Sequence, residues 1–292
     1  MSKPVVELPR HSSYSQASAM LKCGQQHFLE RRVRVPVIPT WALAGGSAVH
    51  AATEQWDRDM LTHGIWDTSF VLAKHLFDEH FANEIDLRHE RDGIDPREWR
   101  ATGRASKDYP NKRDRRWWDE NGPLMVKRWF TWRENNGMEI ALLDDELGIE
   151  VEFEVELGNV IVKGAVDRVF TSSFGPIIVD IKTGASVPKE HTQLEMYALA
   201  LGLEDCWGYY WMGETGGTTP PVALKASSRP RLEHMVSSTR AMQELGLYLA
   251  NPGPFCSSCG VKDYCHAMNG ELADTVPQPW EVEVRNPDEP PF

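Results

Sequence analysis

The stretch Pro176-Ile177-Ile178-Val179-Asp180-Ile181-Lys182 constrains this chain more than any other. Ile177, Ile178 and Val179 form a short continuous apolar run, the pattern of a strand covered on both faces at a sheet centre. An acid and a lysine are set into its end. Alternate strand residues share a face, so Asp180 and Lys182 point the same way with Ile181 opposite. Strand interiors disfavour Asp, so something must compensate for its placement. The surrounding segment, from Lys163 to Tyr197, reads strand, turn, strand, loop, helix. It puts Asp167 on the first strand and stacks Gln193 and Tyr197 at i, i+4 on one side of the helix. Asp167 and Asp180, with a backbone carbonyl such as that of Ile181, have the chemistry to hold Mg²⁺ or Mn²⁺. Lys182 then stands near a metal-bound water.

The ordered set G-x-x-D (Gly164, Asp167), D-x-K (Asp180, Lys182) and Q-x-x-x-Y (Gln193, Tyr197) resembles the PD-(D/E)XK nuclease superfamily. The likeness is to its RecB-like exonucleases, which include the CRISPR-adaptation nucleases. Gly46-Ser47-Ala48-Val49-His50 is similar to the G-x-x-x-H element that these nucleases carry on a helix ahead of the sheet. The resemblance implies that His50 is a third metal ligand, and that Gln193 and Tyr197 orient the lysine or touch DNA. It further implies a restriction-endonuclease-like mixed α/β core and metal-dependent exonuclease action on single strands or DNA ends. Helicase or recombination proteins are the partners such an enzyme implies. The rival expectations are a catalytically silent DNA-binding subunit with the same fold, a structure-specific endonuclease and a zinc-stapled interaction protein with no catalysis. Glu54, Glu152 and Glu154 are lesser candidates for the same cleft.

A net charge of −12 argues against a nucleic-acid partner until its distribution is considered. Between Arg97 and Arg116, eight Lys or Arg stand against three acids, whereas the residues from Glu271 onward hold six acids against one arginine. An acidic body with one basic stretch can guide a strand to one place and repel it elsewhere. Trp117 and Trp118 directly follow Arg113, Arg115 and Arg116, and basic grooves with aromatic platforms bind single strands. These five residues are therefore expected to contact DNA.

Cys256-Ser257-Ser258-Cys259 is a C-x-x-C, with Cys265 six residues later. Three thiols this close point to a metal centre, and their spacing alone points to zinc, with Cys23, Cys206 or His266 as the fourth ligand. The RecB-like resemblance changes this expectation. It implies one cysteine before the nuclease motifs and C-x-x-C-x₅-C after them, a layout that Cys23, Cys256, Cys259 and Cys265 match, holding a structural 4Fe-4S cluster.

The apolar periodicity predicts helices over 15–32 with Cys23 inside, after Gly45-Gly46, from Asp67 to about His89, over 123–135, 188–201 and 230–249. It predicts strands on either side of Gly158-Asn159, then at 176–182 and 206–212. The expected division is a helical region (1–146) with a basic insertion (97–116), a nuclease core (147–250), a cysteine segment (251–270) and an acidic Pro-rich tail (271–292). Residues 1–13 read as a loose arm. No apolar run approaches the roughly 20 residues that a membrane helix requires. The start of the chain has no apolar signal core, so a cytoplasmic location is expected.

Overall fold

The computed structural model describes residues 3–64, 66–203, 205–225 and 228–285. Its elements run β1 (Val5–Glu7), β2 (His11–Ser12), α1 (Tyr14–Lys22), α2 (Gly24–Phe28), α3 (Trp41–His63), α4 (Phe70–Asp92) and α5 (Arg115–Asn136). There follow β3 (Glu139–Ile140), β4 (Leu142–Leu143), β5 (Glu146–Leu147), β6 (Ile149–Leu157), β7 (Val160–Thr171) and β8 (Ile177–Lys182). The last are α6 (Thr192–Ala200), β9 (Cys206–Met212), β10 (Gly217–Thr218), β11 (Val222–Leu224), α7 (Arg229–Glu244) and β12 (Glu283–Arg285). The chain divides into two units, one from Ile38–Glu152 and Ala165–Ala226, the other from Met1–Val37, Phe153–Gly164 and Ser227–Phe292.

The first of these, the sheet unit, is organised on β8. This strand lies between β7, antiparallel to it, and β9, parallel to it, with Val169 opposite Ile178 and Asp180 opposite Tyr210. β3 also pairs with β7, and β10 and β11 both pair antiparallel with β9. A parallel neighbour requires a crossover, and α6 supplies it between β8 and β9. Burial on both faces follows the apolar run, since Ile178, Val179, Asp180 and Ile181 are all buried. Helices α3, α4 and α5 share a core of Trp56, Phe77, Trp118, Trp129 and Phe130 that continues into Val179, Ile181 and Trp211. Gly45 makes this approach possible, because a Cβ there would overlap the Trp118 ring.

The second unit gathers both ends of the chain. β1 pairs with β12 in parallel, Val5 opposite Glu283, and β2 lies parallel to the start of β7, His11 opposite Ile161. The expected loose arm is therefore ordered from Val5 onward. Met20, Phe28, Leu29, Tyr248, Val261 and Val282 form the unit's core. Residues 286–292 of the acidic tail lie outside the described residues.

Several boundaries differ from expectation. The first helix is capped by Ser13, whose hydroxyl accepts from Gln16 N, and it breaks at Cys23, which is extended (φ −162°, ψ 104°) between α1 and α2. Ser69, not Asp67, caps α4 by accepting from Leu72 N. Helix α3 begins at Trp41 and runs through both glycines. The difference at α5 is larger. Asp114 caps it by accepting from Trp117 N at 3.0 Å, and Pro123 lies inside it. Apolar burial on either side of the proline outweighs the missing amide, which costs about 3 kcal/mol in an isolated helix.

Candidate active site

Helix α3 and strands β6, β7 and β8 bring five ionisable side chains together, His50, Glu150, Asp167, Asp180 and Lys182. Gly46 permits the helix to approach the end of β8, since a Cβ there would lie 3.1 Å from Thr183 Oγ1. One turn later, His50 Nδ1 is 3.5 Å from Asp167 Oδ1 and 4.0 Å from Glu150 Oε1. One ligand atom from each of His50, Glu150 and Asp167 lies within 4.8 Å of the others. An imidazole and two carboxylates so arranged fit a divalent cation that takes oxygen and nitrogen ligands. The other oxygen of Asp167, Oδ2, accepts from Ile181 N at 2.6 Å, so Ile181 enters the site through its amide.

The arrangement differs from the expected ligand set in two respects. Asp180 lies outside the group of donors within 4.8 Å, and its Oδ2 is instead 2.6 Å from Lys182 Nζ, at ion-pair distance but without hydrogen-bond alignment. Glu150, which shares a face with Glu152 and Glu154 by alternation along β6 but is not singled out by the sequence, stands with His50 and Asp167. Its backbone is left-handed at φ +48°, a conformation that costs a non-glycine residue about 1–3 kcal/mol. Glu152 is exposed, Glu154 pairs with Lys163 and Glu54 pairs with Arg58.

Lys182 is held from a second side. Its Nζ donates to Gln193 Oε1 at 3.0 Å, and Gln193 Nε2 donates to Tyr197 Oη at 2.6 Å. The structure thus joins the D-x-K and Q-x-x-x-Y residues in one chain of contacts. Burial, with Asp180 and Asp167 acting in the same direction, pushes the Tyr197 phenol well above its usual range and keeps it protonated.

Charge is strongly coupled across the site. Burial lowers the His50 pKa, but Asp167, Glu150 and Asp180 outweigh it and push it up to about 9. Asp167 goes the other way: burial disfavours its charge, but His50, the Ile181 amide and Arg168 hold the carboxyl below its usual range. Burial and the neighbouring Asp167 raise Asp180 to about 7 against the pull of Lys182. Burial and Asp167 also raise Glu150. Groups whose ionisations are driven apart in this way are frequent at catalytic centres.

Two further groups were expected from the sequence. Trp117 and Trp118 are 8% and 1% exposed and belong to the helical core. Base stacking requires a free ring face, so neither serves as a platform. Arg113 is tied to Glu214 at 2.6 Å and lies over Trp117, whereas Arg115 and Arg116 are exposed beside Asp119 and Glu120. The thiols of Cys23, Cys256 and Cys265 are buried and that of Cys259 half-buried, all in the unit formed by the chain ends. Gly253 N donates to Cys256 Sγ at 3.3 Å, and the backbone of Val261 opposes the upward shift of the Cys259 thiol, as those of Ala267 and Met268 do at Cys265. Burial raises the Cys259 thiol, with Cys23 and Cys265 adding to the effect. No three of these sulfurs lie within 4.8 Å of one another. Cys206 is a buried core thiol in β9.

A mixed sheet whose central strands carry acids and a D-x-K lysine, faced by a helical histidine, defines the class of PD-(D/E)XK nucleases. The sequence matches the PD-(D/E)XK nuclease superfamily over residues 11–266, and the chain belongs to that superfamily of nucleic-acid hydrolases. Among curated proteins it is similar to the Gene 69 protein of Mycobacterium phage D29, 30% identical over 74% of this chain and 80% of that protein. It is also similar to the Gene 69 protein of Mycobacterium phage L5, 26% identical over 87% of this chain and 95% of that one. A solved structure described as "Crystal structure of SSO0001" aligns at 17% identity and a TM-score of 0.33, covering 50% of this chain and 68% of the other. That likeness is too slight to support an argument. No helix among the described residues is long and apolar enough to cross a membrane.

Proposed function

We propose that this protein is a Mg²⁺- or Mn²⁺-dependent deoxyribonuclease that digests DNA from ends or as single strands, with a structural 4Fe-4S cluster. The observation that carries the catalytic reading is Lys182, fixed by Asp180 and Gln193 beside the His50, Glu150 and Asp167 donors. In this reading His50, Glu150 and Asp167 hold the cation. When bound, the cation neutralises phosphate charge and acidifies a bound water. The ammonium of Lys182 orients the attacking water and offsets charge on the phosphate oxygens. Asp180 and the Gln193–Tyr197 pair keep that ammonium in position. Attack forms one P–O bond and breaks the ester P–O bond, leaving a phosphate on one fragment and a hydroxyl on the other. Arg115 and Arg116, exposed on the first turn of α5, would be among the cations of the basic stretch that meet a strand.

The cluster reading rests on the sulfurs. Cys256, Cys259 and Cys265 share one short segment as C-x-x-C-x₅-C, and Cys23 lies in the same unit. Backbone N–H donation to cysteine sulfur, present here at Cys256, is one means by which proteins stabilise such clusters.

The test is digestion of end-labelled linear and circular single-stranded DNA with Mn²⁺, with Asp167→Asn as control. Loss of the linear strand alone supports the proposal. Cleavage of circles makes the protein an endonuclease, and binding without cleavage makes it a silent subunit. A visible absorption band near 400 nm supports the cluster, and a colourless zinc-loaded preparation refutes it.

A further inference from the structure

Next to the metal donors, and not assigned any role above, is a buried ionic network. Asp57 on α3 and Arg168 on β7 are both fully buried. Asp57 accepts from Arg168 Nε at 2.8 Å, Arg133 Nε at 2.9 Å and Trp129 Nε1 at 3.0 Å. Arg168 then spends its remaining donors on the segments that carry the three ligands. Its Nη1 donates to Glu150 Oε1 at 3.1 Å and to the Asp167 carbonyl at 2.5 Å. Its Nη2 reaches Thr53 Oγ1 at 3.4 Å, and that hydroxyl donates to the His50 carbonyl at 2.9 Å.

One rigid guanidinium fork therefore touches all three ligand-bearing segments: α3 through Thr53, β6 through Glu150 and β7 through Asp167. We propose that Arg168, locked by Asp57, is the positioning residue that sets His50, Glu150 and Asp167 at ligand spacing. The left-handed backbone at Glu150 accords with this, since it turns a carboxylate toward Arg168 and His50 in a conformation the chain does not adopt by itself. Arginine suits the task because its donors are fixed in one plane and its charge persists on burial. Burial works against that charge, and Asp57 and Glu150 more than restore it. Arg133 shares Asp57 but directs its other nitrogen to the Met138 carbonyl, away from the donors.

This inference rests on the metal-site reading above, so the experiment separates the two. Mn²⁺ binding by the purified full chain is measured by titration calorimetry and by the loss of free-ion electron paramagnetic resonance signal, without substrate. Arg168→Lys keeps the charge and removes the fork, and is expected to weaken Mn²⁺ binding 10- to 100-fold. Arg133→Lys disturbs the same buried pair and is expected to lower the unfolding midpoint while holding Mn²⁺ affinity within about twofold. Equal loss of affinity in both variants, or wild-type affinity in Arg168→Lys, overturns the positioning role. If Arg168→Lys does not fold, Thr53→Val decides: about 2- to 10-fold weaker binding supports the role, and unchanged binding overturns it. Mn²⁺ binding that survives unchanged in the His50→Ala, Asp167→Asn double variant refutes the metal-site reading itself, and the positioning role with it.

Discussion

The molecule holds two groups of ligand-type side chains, and they are built by opposite means. In the sheet unit the donors are oxygen and nitrogen, and charged side chains hold them: Arg168 fixes Glu150 and Asp167, and Asp180 fixes Lys182. In the unit made from the chain ends the donors are sulfur, and a backbone amide holds one of them, Gly253 N donating to Cys256 Sγ. The difference follows from the ligands. Hard cations bind carboxylates whose mutual repulsion must be offset in a fixed geometry. Thiolates need less pairing charge, but Cys23 must be brought to residues more than two hundred positions away. In the proposed reading one group is organised by electrostatics, and the other by chain closure.

The comparison breaks most readily at the sulfurs. Replacing Cys256 and Cys259 together by serine is expected to remove the visible absorbance. It also releases a closed loop of more than two hundred residues, worth on the order of 5 kcal/mol on the chain-entropy argument. Denaturant unfolding monitored at the aromatics measures it, and an unchanged midpoint would mean that the thiols close nothing. At the hard site, Asp167→Asn should cut cleavage at least ~10²–10³-fold in protein that circular dichroism shows to be folded. Lys182→Met should cut cleavage by about 10²-fold yet retain Mn²⁺ binding, because Lys182 is not among the donors; a parallel loss of binding would assign it to the metal set.

A smaller effect tests whether the sheet unit depends on close helix packing as well as on charge. Gly45→Ala places a methyl group in the Trp118 ring and is expected to cost about 1–3 kcal/mol or more. The smallest expected effect is a pH slope. The His50 pKa rises from 6.5 unfolded to about 9 folded. Its contribution to stability is thus fully present below about pH 6.5 and is lost as pH rises through about 9. Without added metal, the melting temperature should fall across that window, and His50→Ala should flatten the slope. Mn²⁺ affinity should rise over the same window, because the cation and the proton compete for the imidazole.

The strand-strand-helix order of the motif residues, the central burial of β8, the helical character of the first 140 residues and the hairpin at Gly158-Asn159 were all legible in the chain. They were legible because side-chain period and turn chemistry are local properties. Local period also misled. Pro123 read as a helix start although α5 begins eight residues earlier, where an Asp114 cap and core tryptophans outweigh the proline. The same extension carries Trp117 and Trp118 into the core instead of onto a DNA-facing surface.

Sequence alone determined that paired acids, a lysine and a histidine lie on elements able to converge, and that three cysteines share one short segment. Only the tertiary structure decided that Glu150 stands with His50 and Asp167 while Asp180 turns to Lys182. It also paired Arg168 with Asp57 across 111 positions. Periodicity tells which face a side chain occupies, whereas the partner of a buried charge is set by whatever distant segment folds against that face.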